Sequence, residues 1–166
     1  MVTQGATTIE QTDQEIILSR IYDAPRELVF SMFKEPEYVS QWWGPTTWPV
    51  TICTIDFQPG GTWHYCMSGP DGQEAWGKAV YQAIDEPNSI VFRDSFSDAM
   101  GNVNKELPQT TVTVTFEGGD DITKLMFYSV YDSSEDRQKI VDMGALEGVK
   151  DTWNQLDRLL ARLQTV

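Results

Sequence analysis

The sequence predicts an α+β domain in which a strongly twisted antiparallel sheet curls around one long C-terminal helix. Six segments between Val50 and Tyr131 have strand composition and are joined mostly by short turns, which indicates an antiparallel meander. After them, apolar residues recur at steps of three and four, the pattern of an amphipathic helix. The sheet is the only large partner available, so the apolar face of this helix must pack against it.

Length and charge limit the kinds of function. The chain has 166 residues and 40% hydrophobic residues, which predicts one domain over residues 1–166 with order from about residue 8 to 165. No stretch approaches the roughly 20 apolar residues that span a bilayer, and the polar start lacks a secretory segment, so we expect a cytoplasmic protein without membrane insertion. A net charge of −13 repels phosphate backbones and argues against nucleic-acid binding.

The N-terminal quarter predicts one strand and two short helices. Residues 8 to about 22 favour a strand, and Pro25 then suits the first turn of a helix, where its missing N–H costs nothing. That helix should end near Pro36. A second, over residues 37–43, is closed by Gly44 and Pro45.

The middle of the chain alternates strands with turns. In TTVTVTF, for example, Val112, Val114 and Phe116 should point inward while the threonines point outward. The six predicted strands are residues 50–57, 62–68, 74–84, 89–96, 110–117 and 122–131.

The C-terminal segment predicts one helix, capped by Asp132 or Ser133. Gly144 and Gly148 weaken it and permit close packing or a kink. Its apolar stripe consists of Leu146, Val149, Trp153, Leu156, Leu160 and Leu163.

Several stretches resemble a known family in both order and spacing. They are APRELVFSMFKEPEYVSQWWGP, DFQPGG, AIDEPNSIVF, TVTVTF and GALEGVKDTWNQLDRLLARL. They are similar to the activator of heat-shock-protein-90 ATPase homologues, in the START-like (SRPBCC) helix-grip superfamily. The resemblance implies a curved sheet gripping the C-terminal helix, often with an apolar cavity between them. The superfamily includes lipid and polyketide binders, cyclases and co-chaperone domains, so fold alone does not choose a function.

The stretch WWGPTTWP should cross one mouth of this grip. Trp42 and Trp43 can plug the end of the core, or one of the three tryptophans can contact a ligand. Trp48 is the better candidate for ligand contact because it lies outside the helical segment.

A ligand pocket needs apolar walls and a few convergent polar groups. Asp94 is the most interesting polar residue, because alternation in SIVFRDSF places it on one face with Ile90, Phe92 and Phe96. It either marks a site or lies where the strand end is open to water. The predicted pocket residues are Trp48, Trp63, Tyr65, Trp76, Phe92, Asp94, Phe96, Phe127, Met143, Leu146 and Trp153.

Metal and cofactor sites are not predicted. His64, the sole histidine, should be a solvated strand residue. Cys53 and Cys66 lie opposite each other if QPGG is a simple turn, and on opposite faces if a glycine bulge shifts the register by one. We expect both to be free thiols without zinc, and no cofactor.

These observations favour a binder of a small hydrophobic or amphipathic ligand, as a monomer or homodimer. One alternative is an enzyme acting on a polyketide-like or aromatic substrate, with Asp94 and Tyr65 or Tyr81 as acid–base groups. The sequence carries no strong catalytic motif. Another is a stress-related, co-chaperone-like interaction module, which a closed core with an exposed apolar patch would favour.

Overall fold

The computed structural model describes residues 7–165 and has the predicted α+β helix-grip architecture. One antiparallel sheet has the strand order β1-β2-β8-β7-β6-β5-β4-β3. Its strands are β1 (Thr8–Gln11), β2 (Glu15–Tyr22), β3 (Val50–Ile55), β4 (Thr62–Ser68), β5 (Glu74–Asp85), β6 (Ser89–Ser97), β7 (Thr110–Gly118) and β8 (Thr123–Tyr131). The helices are α1 (Arg26–Lys34), α2 (Pro36–Trp42), α3 (Ser134–Asp142) and α4 (Ala145–Gln164).

The first predicted strand is two strands. β1 and β2 form a hairpin with Ile9 opposite Leu18, and the Thr12 backbone N–H donates to the Glu15 carbonyl across the turn. The prediction of one continuous strand was wrong because this turn contains neither glycine nor proline, the usual signals. The six later strands and both short helices lie where they were predicted, to within about two residues at each end.

The predicted C-terminal helix is divided into α3 and α4. Ser133 caps α3 as expected, accepting a hydrogen bond from the Asp136 backbone N–H at 3.1 Å. The break falls at Gly144, which adopts the left-handed conformation with φ of 87°. A residue with a Cβ atom adopts this conformation only at a cost, so the glycine ends one helix and starts the next.

The sheet bends around α4 with the help of two register shifts. They lie between Val50 and Ile52 in β3 and between Tyr81 and Ala83 in β5. Such bulges increase the local twist of a sheet. One continuous apolar core then joins the inner face of the sheet to α1, α2 and α4.

Candidate functional site

A cavity of about 410 Å³ lies between the inner face of the sheet and the N-terminal half of α4. Its walls come mainly from β4 to β8, from α4 and from the end of α2. Met143, between α3 and α4, borders the cavity and is 55% exposed, so it lies at the mouth. The helix side is formed by Leu146, Gly148, Val149, Thr152 and Trp153.

The tryptophan of the crossing segment that reaches the cavity is Trp43. It caps α2 and packs edge-on against Trp63, with ring centroids 4.6 Å apart, and against Tyr65 at 5.9 Å. Trp42 is fully buried and donates its indole N–H to the Met32 carbonyl at 2.9 Å, as expected of a core residue.

Trp48, the predicted ligand contact, does not border the cavity. Its six-membered ring lies over Gly69, where an added Cβ atom would come within 2.8 Å of it, and it is not part of the cavity wall. The sequence could not decide between Trp43 and Trp48, because the direction of each ring depends on how α2 ends.

The crossing is tied to α4 by three hydrogen bonds. The Gln155 side chain donates to the Gly44 carbonyl at 2.6 Å. The Asp151 carboxylate accepts from both the backbone N–H and the hydroxyl of Thr46, at 2.6 and 2.9 Å. These bonds fix the helix against the segment that carries Trp43.

Asp94 and Tyr65 form the polar centre of the cavity. The Tyr65 hydroxyl donates to Asp94 Oδ1 over a long 3.4 Å contact, and both residues belong to the wall. Burial raises the pKa of Asp94 to about 7, although hydrogen bonds from Tyr65 and from the Ser95 backbone oppose this rise. Burial and the nearby carboxylate hold the pKa of Tyr65 well above its usual range. Asp94 therefore supplies a carboxyl group with a raised pKa to the cavity wall.

Gly77 makes room for the Tyr65 ring. It faces Tyr65 across the β4–β5 pair, and a Cβ atom at position 77 would come within 2.4 Å of the ring and its hydroxyl. Nothing in the local sequence selects this glycine, because its role depends on the cross-strand register.

Two further polar residues lie near Asp94 on the inner face. Thr110 pairs with Asp94 across β6 and β7, and Tyr131 pairs with Thr110 across β7 and β8. Burial and the Asp94 charge raise the pKa of Tyr131 to about 12. Sequence analysis missed both residues.

Most of the predicted pocket residues do border the cavity. They are Tyr65, Trp76, Asp94, Phe96, Phe127, Met143, Leu146 and Trp153. Trp76 borders the cavity, but its indole ring stacks on the His64 ring, with centroids 4.9 Å apart, alongside the outward-facing residues of β4. Trp63 and Phe92 point inward but are buried below the cavity wall, at 1% exposure each.

Other lining residues were not selected from the sequence. Among them are Ile16 and Leu18 of β2, Val112 of β7 and Ser129 of β8. The remaining ones that sequence analysis missed include Met67, Ala75, Pro108 and Ile140.

The cysteines occupy opposite faces of the sheet. Cys53 pairs with Tyr65 and Ile52 pairs with Cys66, so the register is the shifted one. Both are free thiols, and burial raises the pKa of Cys53. His64 is partly exposed, its ring nitrogen 3.1 Å from the Asp98 carbonyl. Within residues 7–165, no three His, Cys, Asp or Glu side chains are grouped as metal ligands.

None of the helices in the described part of the chain combines the length and apolar character that crossing a bilayer requires.

Comparison with known proteins identifies the family. The sequence profile described as "Activator of Hsp90 ATPase homolog 1-like protein" matches residues 23–161. The chain belongs to this family. No curated protein matches it.

Solved structures show the same fold. A protein from Arthrobacter aurescens, determined by NMR in solution, is 32% identical over 93% of this chain and 91% of its own, with a TM-score of 0.88. A crystal structure from Mycobacterium smegmatis is 33% identical over 93% and 97% of the two chains, with a TM-score of 0.85. An NMR structure from Staphylococcus epidermidis is 28% identical over 96% of each chain, with a TM-score of 0.79.

Proposed function

We propose that this member of the family binds a small hydrophobic or amphipathic molecule in the cavity between the sheet and α4. The observation that carries the proposal is the cavity itself, at about 410 Å³ with mostly apolar and aromatic walls. Sites for small molecules have volumes of about 300–1,000 Å³ and walls of this kind, with few polar groups.

The polar groups are suited to orienting such a ligand. Asp94 and Tyr65 lie together, with Thr110 on the neighbouring strand, while the surrounding wall is apolar. A ligand with one polar end could therefore place that end at Asp94 and the rest against Trp43, Phe127 and the helix. A cytoplasmic location and a monomeric or homodimeric state belong to the same proposal.

A second candidate is an enzyme acting on a polyketide-like or aromatic substrate. The observation in its favour is the pKa of Asp94, which burial raises to about 7. A general acid or base works best when its pKa lies near the ambient pH. Tyr65 would be its partner. Tyr81 is less suitable, because its hydroxyl is buried in the core outside the cavity.

The interaction module has weaker support. In the described chain, the exposed large apolar residues other than Met143 are Ile52, Met100, Val130 and Leu163, and each lies on a different element or loop. A docking surface is usually a contiguous apolar patch.

Binding is tested by tryptophan fluorescence, with a matched pair of variants. Titration with a neutral aromatic compound such as flavanone should quench or shift the emission, because the ligand displaces water beside the Trp43 indole. Trp43→Phe should reduce this response, leaving only the part that Trp76 and Trp153 in the same wall contribute, whereas Trp48→Phe, in the same segment but outside the wall, should keep it in full. Equal losses in the two variants would contradict the proposed site.

Native mass spectrometry of protein purified from its own cells provides an independent test, because a retained small molecule adds mass to the chain. Asp94→Asn then separates binder from enzyme. A binder should lose affinity by about 1–3 kcal/mol at most. An acid–base catalyst should lose turnover by about 100-fold or more while still binding substrate.

A further inference from the structure

The cavity wall carries a single formal charge. Among the described residues that line it, Asp94 is the only one with a charged side chain, and none is lysine, arginine or histidine. A ligand carboxylate would thus meet no cation inside the cavity and would face a partly buried carboxyl group. Two like charges at short distance in a partly dry site repel strongly.

The groups that face Asp94 cannot neutralise it. Tyr65 from β4, Thr110 from β7 and Tyr131 from β8 offer only hydroxyls. The cationic side chains next to Asp94 on β6 and on the paired strand β5 are used elsewhere. Arg93 binds Asp132 at 2.8 Å, and Lys78 donates to the Gly101 carbonyl at 3.1 Å.

Aromatic residues line the same cavity as this carboxyl group. Trp43, Tyr65, Phe96, Phe127 and Trp153 all belong to the wall. The faces of aromatic rings attract cations, most strongly where water is excluded. The aromatic wall and Asp94 therefore both favour a positively charged ligand.

The start of α4, in contrast, favours a negatively charged ligand. The first turn of α4 borders the cavity at Gly144, Ala145 and Leu146, and backbone N–H groups at a helix start attract anions. Glu147 in the same turn offsets this effect, and Gly144 is exposed to solvent, which screens it. A full charge on the inner wall should outweigh a screened partial charge at the mouth.

We propose, on the basis of the function proposed above, that the ligand carries a protonated amine on an apolar or aromatic body, and that the amine binds against Asp94. A carboxylate on the same body should be rejected. A neutral alcohol should bind with intermediate affinity, since it can form hydrogen bonds with Asp94 or Tyr65 but gains no charge attraction.

The test uses three probes that share one chain and differ only in the head group. These are octylamine, octanol and octanoate, titrated by calorimetry into the full-length protein at about pH 8, where most of the Asp94 carboxyl group is ionised and the amine is protonated. Octylamine should bind about tenfold more tightly than octanol, with octanoate the weakest.

Asp94→Asn tests whether the Asp94 carboxylate causes the preference for the amine. This variant should lower octylamine affinity to that of octanol while changing octanol affinity by less than about threefold. Glu117→Gln is the matched control: it removes the same charge from an exposed position on β7 that does not line the cavity. It should leave the order of the three probes unchanged, which excludes general attraction to the −13 net charge.

The possible failures are distinguishable. If octanol and flavanone bind but octylamine has no advantage, the amine proposal is wrong and the binding function stands. If octanoate binds most tightly, the α4 start is the anchor instead of Asp94. If none of the probes binds and native mass spectrometry finds no added mass, the proposed function fails as well.

Discussion

The two halves of α4 face the same sheet but have different surroundings. In the C-terminal half, Leu156, Leu159 and Leu160 are at most 2% exposed. In the N-terminal half, Leu146 and Val149 are only partly buried and border the cavity. Both halves carry the same apolar stripe, so the stripe alone does not produce a closed core.

The difference comes from the two short helices. α1 and α2 pack over the far end of the sheet, where Phe33 meets Trp42 at 4.9 Å and Phe116 at 5.4 Å between ring centroids. α2 ends at Trp42, and only the crossing segment continues toward the start of α4. The open space therefore begins where this layer of helix ends.

The largest expected contrast is between two leucines of α4. Leu156→Ala should lower the free energy of unfolding by about 2–5 kcal/mol, because it leaves a void in a closed core. Leu146→Ala, the matched change beside the cavity, should cost less than about 1.5 kcal/mol, because the side chain is already partly exposed. Denaturant unfolding measures both, and equal losses would show that the two halves are packed alike.

The cavity wall should also carry a destabilising charge, that of Asp94. The pKa of Asp94 in the folded chain is about 7, above that of an unfolded aspartate, so the folded state holds its proton longer. This contribution to stability is complete below about pH 4, is lost as the pH rises to about 7, and then levels off. Asp94→Asn should therefore stabilise the protein by about 2–4 kcal/mol at pH 8 and by little at pH 4.

Thermal and denaturant unfolding across this range measure the effect, with Glu117→Gln as the control for net charge. A gain that is independent of pH would show that Asp94 is not the titrating group.

Adding a side chain to the cavity wall from the sheet side should lower the free energy of unfolding. Gly77→Ala places a Cβ atom within 2.4 Å of the Tyr65 ring, so the ring must move and its contact with Asp94 must break. Overpacking of this kind costs about 1–3 kcal/mol. Flavanone affinity should fall as well, because the displaced ring occupies the cavity. A variant with unchanged stability and affinity would exclude the close contact.

The smallest effect is expected at the break between α3 and α4. Gly144→Ala should cost about 1–2 kcal/mol, since φ is 87° but nothing lies within 4 Å of the added atom. Gly44 has the same φ, yet its added Cβ would lie 2.6 Å from the Trp48 carbonyl oxygen. Gly44→Ala should therefore cost more, and the difference between the variants measures packing alone. Equal losses would mean that the crossing segment yields freely.

Strand alternation explains why most of the fold could be predicted. In β7 the period of two correctly assigned Val112, Val114 and Phe116 to the core. It also placed Asp94 on the inner face of β6, where it lines the cavity. Periodicity of this kind determines which face a residue occupies, because it is a property of the single strand.

The depth at which a side chain is buried and the direction of its ring could not be predicted in the same way. Trp63 and Phe92 are on the predicted face, but residues packed over them decide that they lie below the wall. Trp76 depends on its register against β4, and Trp43 depends on where α2 ends. These are tertiary relations between distant segments, and a local pattern in one segment does not contain them.

The register of the β3–β4 hairpin has a consequence for oxidation. Cys53 and Cys66 occupy neighbouring positions on paired strands, close enough along the ladder to suggest a bridge. Their side chains leave opposite faces of the sheet, and a disulfide requires Cβ atoms that point toward each other. Under oxidising conditions, the two thiols can join within one chain only if the hairpin slips by one residue. Such a slip would move all side chains of the edge strand β3 to the opposite face of the sheet. The native register therefore protects the chain from this cross-link.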